Sequence, residues 1–338
     1  MNFRLLLATT IFAIASSALA DEKTVKFPLT DMSAWGKNFG AWKVVEEAKM
    51  DEANPKKLVM KAGGGTLVNG EAGRTSNIFS AIHHGDLQVR VEFMVPKGSN
   101  SGVYFQGRYE IQILDSWGKK KVGFGDCGGI YQRWENRRGF EGHGPRENAS
   151  LPPGEWQSFE VTFRAPRFDA DGKKTANAVF VKVVHNGKVV HENVEVTGPT
   201  RGAGFRDEQS LGPLMLQGDH GPVAYRNLKL TGVVTTPSDE PAKTPLRWLS
   251  LGHGKMPTSF VGPATAVVFE NQSSQPVKLY WLSYQGELTG YGELAPGATR
   301  RQNTFAGNVW VAKDAKDKPL GYVVAKALVS RAIIPEGK

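Results

Sequence analysis

Arg108, Glu110, Gln112 and Asp115 are the side chains most able to do proton chemistry, and all lie in the stretch SGVYFQGRYEIQILDSWG at 101–118. Side chains alternate across a strand, so Arg108, Glu110 and Gln112 share one face while Tyr109, Ile111 and Ile113 turn to a core. A bulge near Leu114 would rotate Asp115 onto the Glu110 face. Two carboxyls would then bracket a pocket, one to take a proton and one to give it. The same residues also fit an exposed sheet face with ordinary polar alternation. Downstream, LQGDHG at 216–221 gathers Gln217, Asp219 and His220 before a strand. Imidazole is the side chain that ordinarily titrates nearest neutrality, which makes His220 a second proton carrier; a turn residue bonded to backbone fits equally. Glu110, Asp115, Asp219 and His220 could also hold a divalent cation, although no spacing specifies one. No cofactor is otherwise indicated.

These groups have to be positioned by short strands. Residues 87–93 alternate cleanly, with Leu87, Val89, Val91 and Phe93 inward, and 159–163 do the same. Further strands are expected at 42–45, 57–61, 77–81, 178–185, 213–217 and 224–231, with an Asn186-Gly187 hairpin turn. No amphipathic helix of useful length is present. Many short strands with turn residues between them give an all-β chain, a sandwich or jelly roll. The segment 119–155, rich in Gly, Pro and Arg, is too long for a plain connector and is expected to line or cover a site. Residues 233–245 contain VVTTPSDEPAK and read as a linker. A second all-β unit follows at 246–338, with strands expected at 266–271, 277–281, 309–312 and 321–325.

Residues 1–20 read as a signal peptide: Arg4, an apolar run, and a small-x-small site at Ala18-Leu19-Ala20. That run is too short for a membrane span. The expected location is therefore periplasmic or extracellular. Cys127 is the single cysteine, so internal disulfides are excluded, and a small buried residue beside Gly128-Gly129 is its expected role. The formal charge of +9 favours anionic partners, but no nucleic-acid module accompanies it. His83 and His84 are adjacent and face opposite ways on a strand.

Several blocks together carry a resemblance: LQVRVEFMVP at 87–96, NSGVYFQGRYEIQILDSWG at 100–118, CGGIY at 127–131, NASLPPGEW at 148–156, FRAPRFD at 163–169 and GPLMLQGDHGPVAYRN at 212–227. They resemble the 3-keto-disaccharide hydrolase family. The resemblance implies a concanavalin A-like jelly roll at 21–232 and a carbohydrate substrate. The implied chemistry starts from a ketone at sugar C3, which acidifies the C2 proton. A base removes that proton, the enolate expels the substituent at C1, and water adds afterwards. Glu110, Asp115 and His220 are then the candidate proton carriers, and Arg108, Gln112 and Gln217 the candidate substrate-binding groups. Glu110-x-Gln112-x-x-Asp115 is also similar to the Glu-x-Asp-x-x-Glu signature of jelly-roll β-glucanases. The amide and the shorter acid depart from it and speak against direct double displacement. A sugar-binding module without catalysis, or an envelope scaffold, is the alternative on the same fold.

The C-terminal unit resembles the β-domain of the von Hippel–Lindau tumour suppressor through YWLSYQGE at 280–287, LAPGATRR at 294–301 and GNVW at 307–310. The resemblance implies a small β-sandwich with a ligand pocket walled by Trp281, Tyr291 and Trp310. Thr304 and Asn308 occupy its polar positions, where the family carries Ser and His. A small ligand or a protein partner is expected there; the aromatics also fit a plain core.

Overall fold

The computed structural model describes residues 23–27, 29–36, 40–169, 172–235, 244–251, 256–260, 262 and 264–334. The signal peptide read at 1–20 lies outside the described residues, as does most of the stretch read as a linker. Among the described residues there is no helix, and none is therefore long and apolar enough to cross a membrane. The chain is an all-β jelly-roll sandwich followed by a smaller β-sandwich.

Strand Ile78–Met94 joins the two halves of the first sandwich, because 17 residues are long enough to serve two sheets. Its first half pairs with Gly212–Leu216, which pairs with Asn100–Phe105, and that strand with Tyr109–Leu114. Its second half runs between Gln157–Arg164 and Ala224–Thr235. Strands Ala178–His185 and Lys188–Val196 extend the latter sheet. The Asn186-Gly187 turn forms as the sequence predicts, with φ of 49° and 80°, the positive values that a two-residue hairpin turn requires.

The alternating apolar positions meet between the sheets. Phe93 lies 4.6 Å from Phe159, and Phe105 lies 5.0 Å from Phe163, centroid to centroid; offset and tilted pairs of this kind add to plain area burial. Strand Ala224–Thr235 continues into the stretch read as a linker. A bulge between Gly232 and Val234 keeps it in register with His84 and His83, and Val234 packs on the core. Pairing and inward alternation thus both run on past Gly232.

In the second sandwich, Thr299–Phe305, Ala264–Asn271 and Ser330–Ile334 form one sheet. The other contains Leu288–Leu294, Val277–Leu282, Val309–Lys313 and Pro319–Val324. Their core includes Phe269, Leu279, Trp310 and Val323. Contact with the first sandwich runs through Phe79 and Phe205, which cluster with Ala306 and Ala327.

Candidate functional site

The site is built on the hairpin of Asn100–Phe105 and Tyr109–Leu114. Its turn has Arg108 N donating to Phe105 O at 2.9 Å, with φ of 53° at Gln106 and 66° at Gly107. Gly107 is required twice over, since a β-carbon there would also meet the Phe205 ring at 2.6 Å. Tyr109, Ile111 and Ile113 enter the core as expected. The opposite face is not an exposed one: Arg108, Glu110 and Gln112 are all buried.

Strand register explains what surrounds Glu110. Tyr104 stands opposite it and Gly102 stands opposite Gln112. Gln217 N donates to Gly102 O at 3.0 Å, so Gln217 lies across Gly102 from Gln112. Gly102 leaves a gap between the two amides, and the Glu110 carboxyl fills it: a β-carbon on residue 102 would sit 2.4 Å from Oε1. The Tyr104 hydroxyl donates to this carboxyl. Burial pushes Glu110 up to about 8, the Tyr104 bond works against the rise, and the charge of Asp219 adds to it. Burial likewise raises the Tyr104 hydroxyl well above its ordinary range, followed by the charge of Glu110. His220 Nδ1–H donates to Asp219 Oδ1 at 2.5 Å, and both side chains are half-exposed. The result is a buried proton carrier facing a more open Asp–His pair.

Three amide oxygens, Oδ1 of Asn100 and Oε1 of Gln112 and Gln217, are buried with no hydrogen-bond partner. Leaving such an atom unpaired costs about 1–3 kcal/mol, and hydroxyl donors of a ligand would satisfy it. Segment 119–155 lines this face, as its length led one to expect. It follows the free edge of Tyr109–Leu114, with Gln112 N donating to Gly129 O at 2.8 Å and Tyr131 N to Glu110 O at 3.1 Å. Further along the same edge Thr200 Oγ1 accepts from Glu110 N at 3.2 Å and donates to Arg108 O at 3.0 Å.

Two expected site residues stand elsewhere. No register shift occurs in the hairpin, so Asp115 keeps the parity of Ile113. Its Oδ2 accepts from Gly98 N at 2.8 Å and closes a turn. Asp219, not Asp115, is thus the carboxylate whose charge reaches Glu110. Arg108 is fully buried and each of its three nitrogens donates within the protein: Nε to Asp207 O at 2.5 Å, Nη2 to Asp207 Oδ1 at 2.8 Å and Nη1 to Gln106 O at 2.7 Å. Phe205 stacks on its guanidinium at 4.3 Å. Arg108 clamps the loop around 205–208 instead of presenting a cation to a sugar.

Tyr104 was not singled out by the sequence, although its place opposite Glu110 follows once the turn is centred on Gln106-Gly107. Among the described residues no three His, Cys, Asp or Glu side chains converge as metal ligands. Cys127 Sγ lies 4.0 Å from His185 Nε2, but that nitrogen bonds Gln157 Oε1 at 3.0 Å, and burial pushes the thiol up to about 12; the thiol is inert packing. His84 accepts from Gln106 N at 2.9 Å and so braces the turn. Arg133 packs on Phe140 at 4.9 Å and pairs with Glu141 at 3.5 Å.

In the second sandwich the expected aromatics do gather. Trp281 stands opposite Trp310, and the Tyr291 and Trp310 rings meet at 4.8 Å. Thr304 Oγ1 accepts from Trp310 Nε1 and from Asn308 Nδ2, each at 3.0 Å. Trp281 Nε1 and Asn308 Oδ1 are buried without partners.

Residues 28–231 match the family model described as a 3-keto-alpha-glucoside-1,2-lyase-like domain, and residues 259–329 match the VHL beta domain. Solved structures from Parabacteroides distasonis ATCC 8503, each provisionally described as a glycosyl hydrolase, are similar to part of this chain. One is 27% identical over 61% of this chain and 82% of its own, with a TM-score of 0.43. A second is 19% identical over 61% and 98%, with a TM-score of 0.40. A third is 18% identical over 58% and 90%, with a TM-score of 0.36.

Proposed function

Because the chain belongs, through residues 28–231, to the family of 3-keto-alpha-glucoside-1,2-lyase-like domains and is carbohydrate-active in that broad sense, we propose that it cleaves 3-keto-glycosides by elimination followed by hydration. The observation that carries this reading is the Glu110 carboxyl, pushed up to about 8 and set beside an Asp219–His220 pair. Elimination needs a base at C2 and an acid at the leaving oxygen. His220, held through Nδ1 by Asp219, presents Nε2 to take the C2 proton, in the manner of an imidazole oriented by a carboxylate. The electron pair moves into the C2–C3 enolate. It then expels the C1 oxygen, which takes the proton of Glu110. Water adds across the C1–C2 double bond, and the two carriers return to their starting states. Gln112, Gln217 and Asn100 accept from sugar hydroxyls and fix the ring.

The test is incubation with 3-keto-glucosides of both anomers, following released aglycone and the unsaturated keto sugar by mass spectrometry. Binding of keto sugars without any release would favour the non-catalytic sugar-binding alternative.

A small polar ligand of the second sandwich is a separate proposal, favoured by the unpartnered Trp281 Nε1 and Asn308 Oδ1. Quenching of tryptophan fluorescence across a panel of small polar ligands tests it.

A further inference from the structure

The outer face of the larger sheet, away from Glu110, carries a trough of about 250 Å³. Two neighbouring rows of side chains line it. In one, register sets Thr231 opposite Gln88, Gln88 opposite Thr162, and Thr162 opposite Lys182. In the other, Lys229 stands opposite Arg90 and Arg90 opposite Glu160. Arg90 and Glu160 pair at 3.4 Å, which leaves Lys182 and Lys229 as cations without an ion pair among the described residues.

From this arrangement we infer that the trough binds an acidic polysaccharide, lying across the strands. Neighbouring strands are about 4.8 Å apart, close to the length of one extended pyranose unit, so each strand offers one polar group per sugar. Hydroxyls of the polymer meet Thr231, Gln88 and Thr162, while its carboxylates or sulfates meet Lys182 and Lys229. The trough holds no aromatic side chain. A sugar ring or nucleobase thus finds no ring to stack on, and the cations left without an ion pair are what the trough adds to its hydrogen-bonding groups, an attraction for anions that the formal charge of +9 supports. The surface would hold the enzyme on a matrix while leaving the Glu110 site free.

Affinity gel electrophoresis of the full chain in polygalacturonate, neutral dextran or double-stranded DNA tests this. Polygalacturonate should retard the protein and dextran should not. Lys182→Glu with Lys229→Glu should weaken the polygalacturonate affinity at least tenfold, with cleavage of a small keto-glucoside unchanged. Lys120→Glu with Lys121→Glu, which alters an exposed loop elsewhere, should leave binding within twofold. The inference is overturned if polygalacturonate does not retard the protein, if the two pairs of substitutions weaken it equally, or if the trough substitutions weaken DNA binding of the same strength.

Discussion

The Glu110 carboxyl occupies the space that a side chain on Gly102 would need, with a residue-102 β-carbon placed 2.4 Å from Oε1 and 3.0 Å from the Tyr104 ring. Gly102 is thus the seat of the site, one strand away from the acid it accommodates. Gly102→Ala should displace the carboxyl and lower kcat on a 3-keto-glucoside by about 10²-fold, the scale of a misplacement near 1 Å. Overpacking should also cost about 1–3 kcal/mol of stability. Activity and thermal melting, measured together, separate the two effects; unchanged kcat would mean that the carboxyl position is immaterial.

Glu110→Gln keeps shape and hydrogen bonding but carries no exchangeable acid. Loss of a positioned acid costs about 10²–10⁴ in rate. In the parent protein, a donor with its carboxyl raised to about 8 gives a rate that falls as pH rises through that value. The falling limb should vanish in Glu110→Gln. A limb that rises through the same pH would make Glu110 the base instead.

The same group links pH to folding. Its ordinary value is 4.5 and its folded value is about 8. A raised folded value means that its stabilising contribution is complete below pH 4.5, fades as pH rises towards 8, and is level above that. Urea titrations of the parent and of Glu110→Gln should therefore diverge across this window and run parallel outside it.

Much of this fold was legible because its signals are local. Alternation at Leu87, Val89, Val91 and Phe93 marks a strand, and Asn186-Gly187 marks a hairpin, without reference to anything distant. The face of Arg108, Glu110 and Gln112 followed from parity alone. Its neighbours did not: Gln217 reaches Gly102 only through pairing of segments more than a hundred residues apart. Asp115 was placed beside Glu110 on the assumption of a bulge, a backbone irregularity that no residue there demands. Strand Leu58–Val68 outruns its expected segment because Gly63, Gly64 and Gly65, which have little strand propensity, lie where its pairing with Lys43–Met50 shifts register between Val45 and Glu47, and the ladder resumes at Thr66.

Asp219→Asn and Asp115→Asn should part company. The first removes the charge that helps raise Glu110 and lets the His220 ring turn to the wrong tautomer, a change that costs up to about 10⁴ in kcat where imidazole is oriented this way. It should also move the Glu110 limb to lower pH. The second weakens one bond to Gly98 N, worth about 0.5–1.5 kcal/mol, and should leave kcat within a few-fold. Equal losses from both would restore Asp115 to the site.

Removal of the second sandwich tests how far the site depends on it. All core residues of the first sandwich around the sheets belong to positions before 235, and a chain ending near Thr235 keeps the final strand's pairing with His83. Such a chain should fold cooperatively on its own. The contact it loses centres on Phe205, which packs against Ala306 and Ala327 on one side and Arg108 on the other. Three anchors on the same loop remain: Asp207 on Arg108, Glu208 on Tyr109 at 2.6 Å, and Thr200 on Glu110. They should hold the loop, so the shortened chain is expected to melt a few degrees lower with kcat on a small soluble substrate within a few-fold. A thousand-fold fall, about 4 kcal/mol of barrier, in a chain that still melts cooperatively would show that the second sandwich sets the geometry around Glu110 through Phe205. Phe205→Ala in the full chain should then reproduce the loss.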